Sequence, residues 1–346
     1  MVSFSCDYLE GAHPQVLEML ASTNFEQTPG YGEDVYCRRA AALIRTLCGA
    51  EDAAVHFLVG GTQTNAAVIT AALRPYQGVL CAESGHINTH ETGAVEAYGH
   101  KVLALPSHDG KIKGCQVREY CAAHWQDGAH EHMVQPGMVY ISHPSELGTL
   151  YRKAELEDLY AACREYGIKL FLDGARLAYG LAAEGSDVTL PDIARLTDVF
   201  YIGGTKCGAL FGEAVVITDA ELQRDFRYII KQHGGMLAKG RLLGLQFIAL
   251  LENGLYRQVG EHGDRLAALI AEACRDAGVE LLAPPDSNQL FLILKPEEEE
   301  KLEQLFESGD VSNLDNGMLC HRFVTSWATR EEDAAALAEA IRSLRR

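Results

Sequence analysis

The stretch YIGGTKCGALFG, residues 201–212, places a single lysine, Lys206, on a glycine-rich turn directly after an apolar run. Lysines usually lie on solvated surfaces, so a lysine held between a strand end and a tight turn points to a chemical role for the amine. We interpret its neighbour Cys207 as a packing residue. The apolar runs DVFYI (198–202) and AVVIT (214–218) on either side of the turn predict two buried strands.

On both sides of this turn in the sequence, apolar strand-like runs alternate with segments of helical periodicity. In KAELEDLYAACREYG (153–167), Leu156, Leu159 and Cys163 have the spacing of one apolar helix face, and Gly167 suits the C-terminal end. This alternation predicts βαβ units and an α/β fold with a mostly parallel central sheet sandwiched by helices. Five further strands are predicted at AAVHFLV (53–59), GVLCA (78–82), KVLAL (101–105), MVYIS (138–142) and KLFLD (169–173).

After about residue 250 the pattern changes to longer helices separated by single strands. NQLFLIL (288–294) and CHRFVTSWA (320–328) predict strands, and PEEEEKLEQLFE (296–307) begins a helix with proline and acidic residues at its positive end. The chain also exceeds the usual length of a single core. We therefore predict a large cofactor-binding domain with an N-terminal arm over residues 1–250, and a small C-terminal α+β domain over residues 251–346.

Composition and charge exclude several classes of protein. The 346-residue chain is 47% hydrophobic and 23% charged, and its formal net charge of -18 disfavours binding to nucleic acid or to anionic membranes. Its ten cysteines contain no C-x-x-C pair, which predicts reduced thiols. The N-terminus MVSFSCDYLE lacks the features of a signal peptide, and the longest apolar runs are too short to span a bilayer. We expect a cytoplasmic protein.

The segment LDGARLAYG (172–180) places Asp173 at the end of a predicted parallel strand. Open α/β sheets bind ligands at this position. An equally good interpretation is that Asp173 caps the next helix. Arg176 follows one helical turn later, where it either faces solvent or projects into the same crevice.

The segment VGGTQTNAAV (59–68) joins a predicted strand to a helix through two glycines. Backbone N–H groups at a helix N-terminus form a ready phosphate site. Neither a G-x-G-x-x-G nor a Walker A pattern occurs here, so dinucleotide and nucleoside triphosphate sites lack their motif. The alternative is an ordinary turn in which Thr62 caps the helix.

The segment CAESGHINTHETGAVEA (81–97) carries two histidines, His86 and His90, four residues apart. Such a pair can bind a metal, but no third ligand has suitable spacing. We predict no metal site, and we interpret His86 as a planar group that lies against a flat ligand.

These features together match one cofactor. Pyridoxal phosphate requires a lysine for its Schiff base, an acid at its ring nitrogen, a phosphate cradle and a group stacked on its ring. Lys206, Asp173, the glycine turn before Thr62, and His86 provide one of each. We therefore predict pyridoxal 5'-phosphate as the cofactor.

The sequence resembles the threonine aldolase and β-eliminating lyase family of fold-type-I pyridoxal-phosphate enzymes over nearly its whole length. The resemblance implies a large domain like that of aspartate aminotransferase. The matching blocks are DY (7–8), GYGED (30–34), GGTQTN (60–65), ESGHINTHETGA (83–94), LDGARL (172–177), GGTKCGALFG (203–212), KQHGGMLAKGR (231–241) and RFVTSWATREED (322–333).

The resemblance implies a role for each matched residue. The residues implied for catalysis and cofactor binding are Lys206 (Schiff base), Asp173 (ring nitrogen), His86 (ring stacking), Gly61, Thr62 and Thr205 (phosphate), and Arg176. Those implied for the substrate are Arg176 and Arg322 (carboxylate), Ser5, Cys6, His90, Tyr31 and Lys231. Members of the family complete the active site across a dimer interface, so Tyr31 and Lys231 would reach a neighbouring subunit in a homodimer or homotetramer.

The sequence also departs from the family pattern. Cys6, with Ser5 beside it, stands where a serine is usual, and the phosphate turn reads GGT instead of SGT. The segment YISHPSELGTLY (140–151) replaces a Glu-Asn-Thr-His-Asn-Gly segment whose histidine addresses the substrate β-hydroxyl. His86, His90 or an ordered water would take the place of that histidine.

The expected activity is cleavage of L-threonine, L-allo-threonine or a related β-hydroxy amino acid to glycine and an aldehyde. One alternative is a β-eliminating lyase acting on a small amino acid. Another is a protein that binds pyridoxal phosphate without turnover.

Overall fold

A computed structural model describes residues 1–345 of the chain. The strands, in chain order, are β1 (Val2–Ser3), β2 (Ala54–Leu58), β3 (Gln77–Ala82), β4 (Lys101–Leu105), β5 (Gln135–Ser142), β6 (Lys169–Asp173), β7 (Val199–Gly203), β8 (Glu213–Ile217), β9 (Glu280–Leu281), β10 (Gln289–Leu294), β11 (Phe306–Glu307), β12 (Val311–Asn313) and β13 (Leu319–Val324). The α-helices are α1 (Pro14–Ser22), α2 (Val35–Cys48), α3 (Gly61–Ala72), α4 (His86–Thr89), α5 (Ala94–Ala97), α6 (Gly114–Gln126), α7 (Lys153–Tyr166), α8 (Leu177–Ala182), α9 (Leu190–Leu196), α10 (Ala220–Gln223), α11 (Phe226–Gln232), α12 (Arg241–Leu251), α13 (Leu255–Ala277), α14 (Pro296–Glu303) and α15 (Glu331–Ser343), and a 3-10 turn spans His130–His132.

Seven strands form the central sheet in the order β2-β8-β7-β6-β5-β3-β4. Strand β8 is antiparallel to both of its neighbours, and the other pairs are parallel. The predicted α/β class with a mostly parallel sheet is therefore confirmed. Since β2, β3, β5, β6 and β7 run in one direction, their carboxyl ends meet at the same edge of the sheet.

Helices cover both faces of this sheet, which explains why its strands are almost continuously apolar. In β6, Leu170 and Leu172 belong to the buried cluster on one face, and Phe171 belongs to the cluster on the other. Fully burying one such side chain stabilises the fold by roughly 1.5–3 kcal/mol. If apolar and polar residues alternated along these strands, the helices on one face of the sheet would have no apolar surface to pack against.

Helix α7 shows how local sequence fixes the ends of an element. Leu156, Leu159 and Cys163 are buried on one face, as their spacing predicts. Gly167 ends the helix in the left-handed conformation at φ 65°, which costs glycine little because it has no Cβ. The helix thus begins and ends within one residue of the predicted range.

The C-terminal part contains a four-stranded antiparallel sheet in the order β12-β13-β10-β9. Leu290 and Leu292 of this sheet pack against Leu266 and Leu337 of the long helices in a separate hydrophobic cluster. Phe4 belongs to the same cluster, because β1 pairs in parallel with β11. The domain boundary at residues 250 and 251 stays a prediction.

Within residues 1–345, no helix is both long enough and apolar enough to cross a membrane.

Candidate active site

A pocket of about 290 Å³ opens at the edge where the carboxyl ends of β2, β6 and β7 meet. It brings together residues that are distant in the sequence. Its lining includes Tyr8, Gly60, Gly61, Thr62, His86, Glu146, Asp173, Tyr201, Thr205, Lys206 and Glu213. Six of the residues predicted from the sequence therefore share one cavity.

Lys206 lies in the connection between the neighbouring strands β7 and β8. Burial lowers the pKa of its amine, and the charge of Arg176 lowers it further, while Asp7 acts in the opposite direction. The Nζ atom lies 5.7 Å from the ring centroid of Tyr8. A lowered pKa increases the fraction of neutral amine, which is the nucleophilic form.

The turn that carries Lys206 is held by its own hydrogen bonds. Thr205 Oγ1 donates to Glu213 at 2.8 Å and accepts from the Gly212 N–H at 3.0 Å. Gly208 and Gly212 have φ values of 93° and 119°, which side chains other than glycine rarely adopt. The glycine-rich sequence thus gives the lysine a fixed backbone.

Asp173, at the end of β6, accepts four hydrogen bonds. Its Oδ1 accepts from the Ala175 N–H at 2.9 Å and from the hydroxyl of Tyr201. Its Oδ2 accepts from the hydroxyl of Tyr140 at 2.5 Å and from the Asn65 amide at 3.1 Å. The carboxylate is 3% exposed, so these donors fix both its position and its orientation.

A hydrogen-bond network connects Asp173 to His86. The Asn65 amide also donates to Glu91 at 2.7 Å, and the same Glu91 oxygen lies 2.8 Å from His86 Nδ1. Burial alone would lower the pKa of His86, but the hydrogen bond to Glu91 and the charges of Glu146 and Asp173 raise it above its ordinary value. His86 therefore holds its ring proton more firmly than a free histidine.

Helix α3 begins at the same edge without a side-chain cap. Gly60 occupies the N-cap position in an extended conformation, so the alternative in which Thr62 caps the helix is wrong. Gly61 and Thr62 of its first turn line the pocket, and the unpaired N–H groups at a helix N-terminus attract an anion. This cradle and the Thr205 hydroxyl fit a phosphate group.

A buried carboxyl group lies close to that cradle. Burial raises the pKa of Glu213 to about 8, although the hydrogen bonds from Thr205 and from the Gly204 N–H lower it. Glu213 was not predicted from the sequence, because an acidic residue at the start of an apolar strand normally indicates the edge of the strand.

The two predicted arginines lie beside the pocket and not in its lining. Arg176 forms a bidentate ion pair with Asp7, at 2.7 and 3.1 Å. Arg322 donates to Asp310 at 3.0 Å and to the Ser5 carbonyl at 3.4 Å, and its buried Nε has no hydrogen-bond partner within residues 1–345. An unpaired buried N–H of this kind fits an absent anionic partner.

The charges of both guanidinium groups lower the pKa of the same phenol, that of Tyr8. Partial burial and the nearby Cys6 raise the pKa of Tyr8, whereas Arg176 and Arg322 lower it. Cys6 and both arginines thus lie within electrostatic range of Tyr8. The Ser5 hydroxyl is hydrogen-bonded to that of Ser3 at 2.9 Å.

The remaining predicted residues occupy other positions. The His90 ring lies 5.6 Å from that of His86, on an exposed position. Lys231 Nζ lies 4.9 Å from the ring centroid of Tyr31, and neither residue lines the pocket of Lys206 in the same chain. Over residues 1–345, no cluster of three or more metal-ligating side chains is present.

Several residues of the site were missed from the sequence. Tyr140 and Tyr201 lie within buried strands, where a tyrosine is normally interpreted as core. Ser142 pairs with Asp173 in register, so the chain leaves β5 at the pocket edge and brings Glu146 to it. The sequence signal that could have identified Glu146 is its position in the segment that follows the end of β5.

The chain has the α/β fold of aspartate aminotransferase. An aspartate aminotransferase from Thermus thermophilus shares this fold with a TM-score of 0.74 at 16% identity, over 99% of this chain and 91% of that one. Lys206, which is partly buried after the end of β7, lines this pocket.

The chain belongs to the β-eliminating lyase family, whose family model matches residues 7–297. It is therefore an enzyme of the lyase class. A low specificity L-threonine aldolase from Pseudomonas sp. (strain NCIMB 10558) is 33% identical over 99% of this chain and 97% of its own length. A threonine aldolase structure from Leishmania major is 45% identical, with a TM-score of 0.97 and coverage of 100% of both chains.

Proposed function

We propose that the chain is a pyridoxal-phosphate-dependent aldolase that cleaves L-threonine, L-allo-threonine or a related β-hydroxy amino acid to glycine and an aldehyde. The observation that carries this proposal is the shared pocket of Lys206, Asp173 and the uncapped start of α3. The relatives named as threonine aldolases, one of them 45% identical over 100% of the chain, support the same substrate class.

The residues of the pocket fit pyridoxal phosphate. Asp173 would face the ring nitrogen, His86 would lie against the ring, and Gly61, Thr62 and Thr205 would hold the phosphate. When bound, the cofactor supplies an electron sink for the negative charge that develops at Cα of an amino acid.

The protein side chains supply orientation and proton transfer. The lowered pKa of Lys206 increases the fraction of neutral amine, the form that can accept a proton. Arg176 and Arg322 would orient the substrate carboxylate, because a guanidinium group matches a carboxylate with two parallel hydrogen bonds. A fixed carboxylate decides which bond at Cα is presented for cleavage.

We also propose a homodimer or homotetramer in which Tyr31 and Lys231 reach the site of a neighbouring subunit. This is supported by the position of the two side chains, since Lys231 Nζ lies 4.9 Å from the Tyr31 ring centroid and neither residue lines the Lys206 pocket of its own chain. The ten unpaired cysteines favour a cytoplasmic location. Two separate hydrophobic clusters support two domains, but the larger cluster extends to Val259 and the smaller one includes Phe4. The division into residues 1–250 and 251–346 therefore stays a proposal.

The test is to incubate the purified protein and pyridoxal phosphate with L-threonine and with L-allo-threonine, and to quantify glycine and acetaldehyde. Equal amounts of both products support the proposal. Release of a 2-oxo acid and ammonia would instead identify a β-eliminating lyase. Cofactor binding without any product would identify a protein without turnover.

A further inference from the structure

One carboxylate in the pocket has no structural partner for one of its oxygens. Glu146 lies in the connection that follows β5, and it lines the pocket with Lys206 and His86. Ser142 donates to its Oε1 at 2.9 Å, and no described residue forms a hydrogen bond with its Oε2. A half-buried carboxylate with a free oxygen can accept a proton or a hydrogen bond from a ligand.

The connection that carries Glu146 is well fixed. The Ser145 N–H donates to the Thr149 carbonyl at 2.8 Å, and the hydroxyls of these two residues lie 2.7 Å apart. Thr149 Oγ1 also donates to the Asp109 carbonyl at 2.7 Å. The backbone beside Glu146 therefore presents the carboxylate at a defined position, as a residue that acts on a substrate requires.

The charge of Glu146 acts on several residues of the site, including the Tyr140 phenol. It raises the pKa of His86, of Lys206 and of Arg176, in each case against the opposing effect of burial. Glu146 therefore lies within electrostatic range of the proposed ring-stacking residue, the amine and a carboxylate-binding residue. A substrate held between these groups would have its side chain near Glu146.

Other acid–base groups of the pocket are already engaged. Asp173 accepts four hydrogen bonds, and Glu213 accepts one from Thr205 and one from the Gly204 N–H. The Tyr201 phenol donates to Asp173, and burial raises its pKa well above the ordinary value. His86 holds its proton against Glu91. Glu146 is the remaining carboxylate with an accessible lone pair.

We propose that Glu146 is the catalytic base that takes the proton of the substrate β-hydroxyl; this inference rests on the proposed aldolase function. The carboxylate accepts the hydroxyl proton, the O–H electron pair forms the C=O bond of the aldehyde, and the Cα–Cβ bond breaks. The electron pair of that bond stays with Cα, which takes a proton from solvent to give glycine. Glu146 returns its proton to solvent, so the reaction balances without an oxidant or reductant.

The decisive experiment compares two reactions of the same holoenzyme. Cleavage of L-allo-threonine requires removal of the hydroxyl proton, whereas exchange of the glycine Cα proton for deuterium in D₂O requires only chemistry at Cα. Glu146→Gln keeps an oxygen for the Ser142 hydrogen bond and removes the basic carboxylate. Glu119→Gln, at an exposed position, serves as the matched control.

We expect Glu146→Gln to lower kcat for aldehyde release by about 100-fold or more, in line with the contribution of a general base. Glycine exchange, measured by proton NMR, and the Kd for pyridoxal phosphate, measured by ultrafiltration, should remain at the wild-type values. Added formate should restore part of the cleavage by Glu146→Ala. Glu119→Gln should match the wild type in all of these measurements.

Two results would overturn the role of Glu146 and leave the proposed function intact. One is cleavage by Glu146→Gln at the wild-type rate, and the other is an equal loss of cleavage and glycine exchange in Glu146→Gln. The second result would show that Glu146 supports the whole site and not the hydroxyl step. A different result, absence of aldehyde release by the wild type from any of these substrates, would remove the proposed function and the role of Glu146 with it.

Discussion

Asp7 and Arg176, which are 169 positions apart in the sequence, form a buried bidentate ion pair. The carboxylate also accepts a hydrogen bond from the Asn288 amide at 3.0 Å. Asp7 thus joins the N-terminal segment, the loop after β6 and the C-terminal part of the chain. The pair holds one of the proposed substrate-binding arginines in place.

We predict that Asp7→Ala destabilises the protein by about 3–5 kcal/mol, because a buried guanidinium loses its partner. Urea denaturation monitored by circular dichroism measures this change. Asp310→Ala, which removes the exposed partner of Arg322, should cost no more than about 1 kcal/mol. Equal losses in the two variants would contradict the special role of the buried pair.

The pH dependence of this pair has a defined sign. Burial raises the pKa of Asp7, but the charge and hydrogen bonds of Arg176 outweigh burial, and the net pKa is lowered. Its contribution to stability is therefore present above the unfolded-state pKa near 3.8 and is lost as the pH falls through the lower folded value. The difference between wild type and Asp7→Asn should shrink in strongly acidic buffer.

Lys206 provides a chemical test of the cofactor assignment. After incubation with pyridoxal phosphate and reduction with borohydride, the wild type should carry the cofactor permanently on the peptide that contains Lys206. Lys206→Ala should remain unlabelled, because it lacks the amine that lines the pocket. Lys301→Ala, at an exposed position, should be labelled like the wild type. Peptide mass spectrometry distinguishes these results, and labelling of another lysine would exclude Lys206.

Arg322 provides a test of substrate binding. Its Nε has no hydrogen-bond partner within residues 1–345, and a hydrogen bond to a charged group contributes about 1.5–3 kcal/mol. Arg322→Ala should therefore raise KM for L-allo-threonine roughly 10- to 100-fold. Steady-state kinetics against the exposed-site control Arg330→Ala measures this effect. An unchanged KM in Arg322→Ala would remove this residue from the site.

The sheet was predictable because burial on both faces leaves a continuous apolar run in each strand. The run KLFLD, for example, coincides with β6, Lys169–Asp173. The pairs β1–β11 and β12–β13 were not predicted, since β1, β11 and β12 are two or three residues long and carry no periodicity. Their pairing depends on tertiary contacts such as the burial of Phe4.

The site was only partly predictable from the sequence. Lys206, Asp173 and His86 come together as expected, because each follows the carboxyl end of a strand of the same sheet. Tyr140 and Asn65 contact Asp173 from elements in which their side chains resemble ordinary core residues. The Tyr140 hydrogen bond is fixed by strand register and the Asn65 hydrogen bond by the packing of α3 on the sheet, which composition and periodicity do not encode.

The buried carboxyl group of Glu213 makes the stability of the folded protein depend on pH. Burial raises the pKa of its carboxyl to about 8 from 4.5. A raised carboxyl pKa means that the folded state binds the proton more tightly than the unfolded state. The folded protein therefore loses stability as the pH rises from about 4.5 to about 8, by at most about 1.4 kcal/mol per pH unit from this group.

We predict that Glu213→Gln removes this loss. The amide keeps an oxygen for the Gly204 N–H and retains a polar contact with Thr205, but it cannot ionise. The gain in Tm over the wild type, measured by calorimetry without cofactor, should be small at pH 5 and should grow toward pH 8. Burial also raises the pKa of Asp264 to about 9. Because Asp264 titrates in both the wild type and Glu213→Gln, its effect on Tm cancels in this comparison. A Tm difference that is constant between pH 5 and pH 8 would show that Glu213 keeps the same charge in the folded and unfolded states.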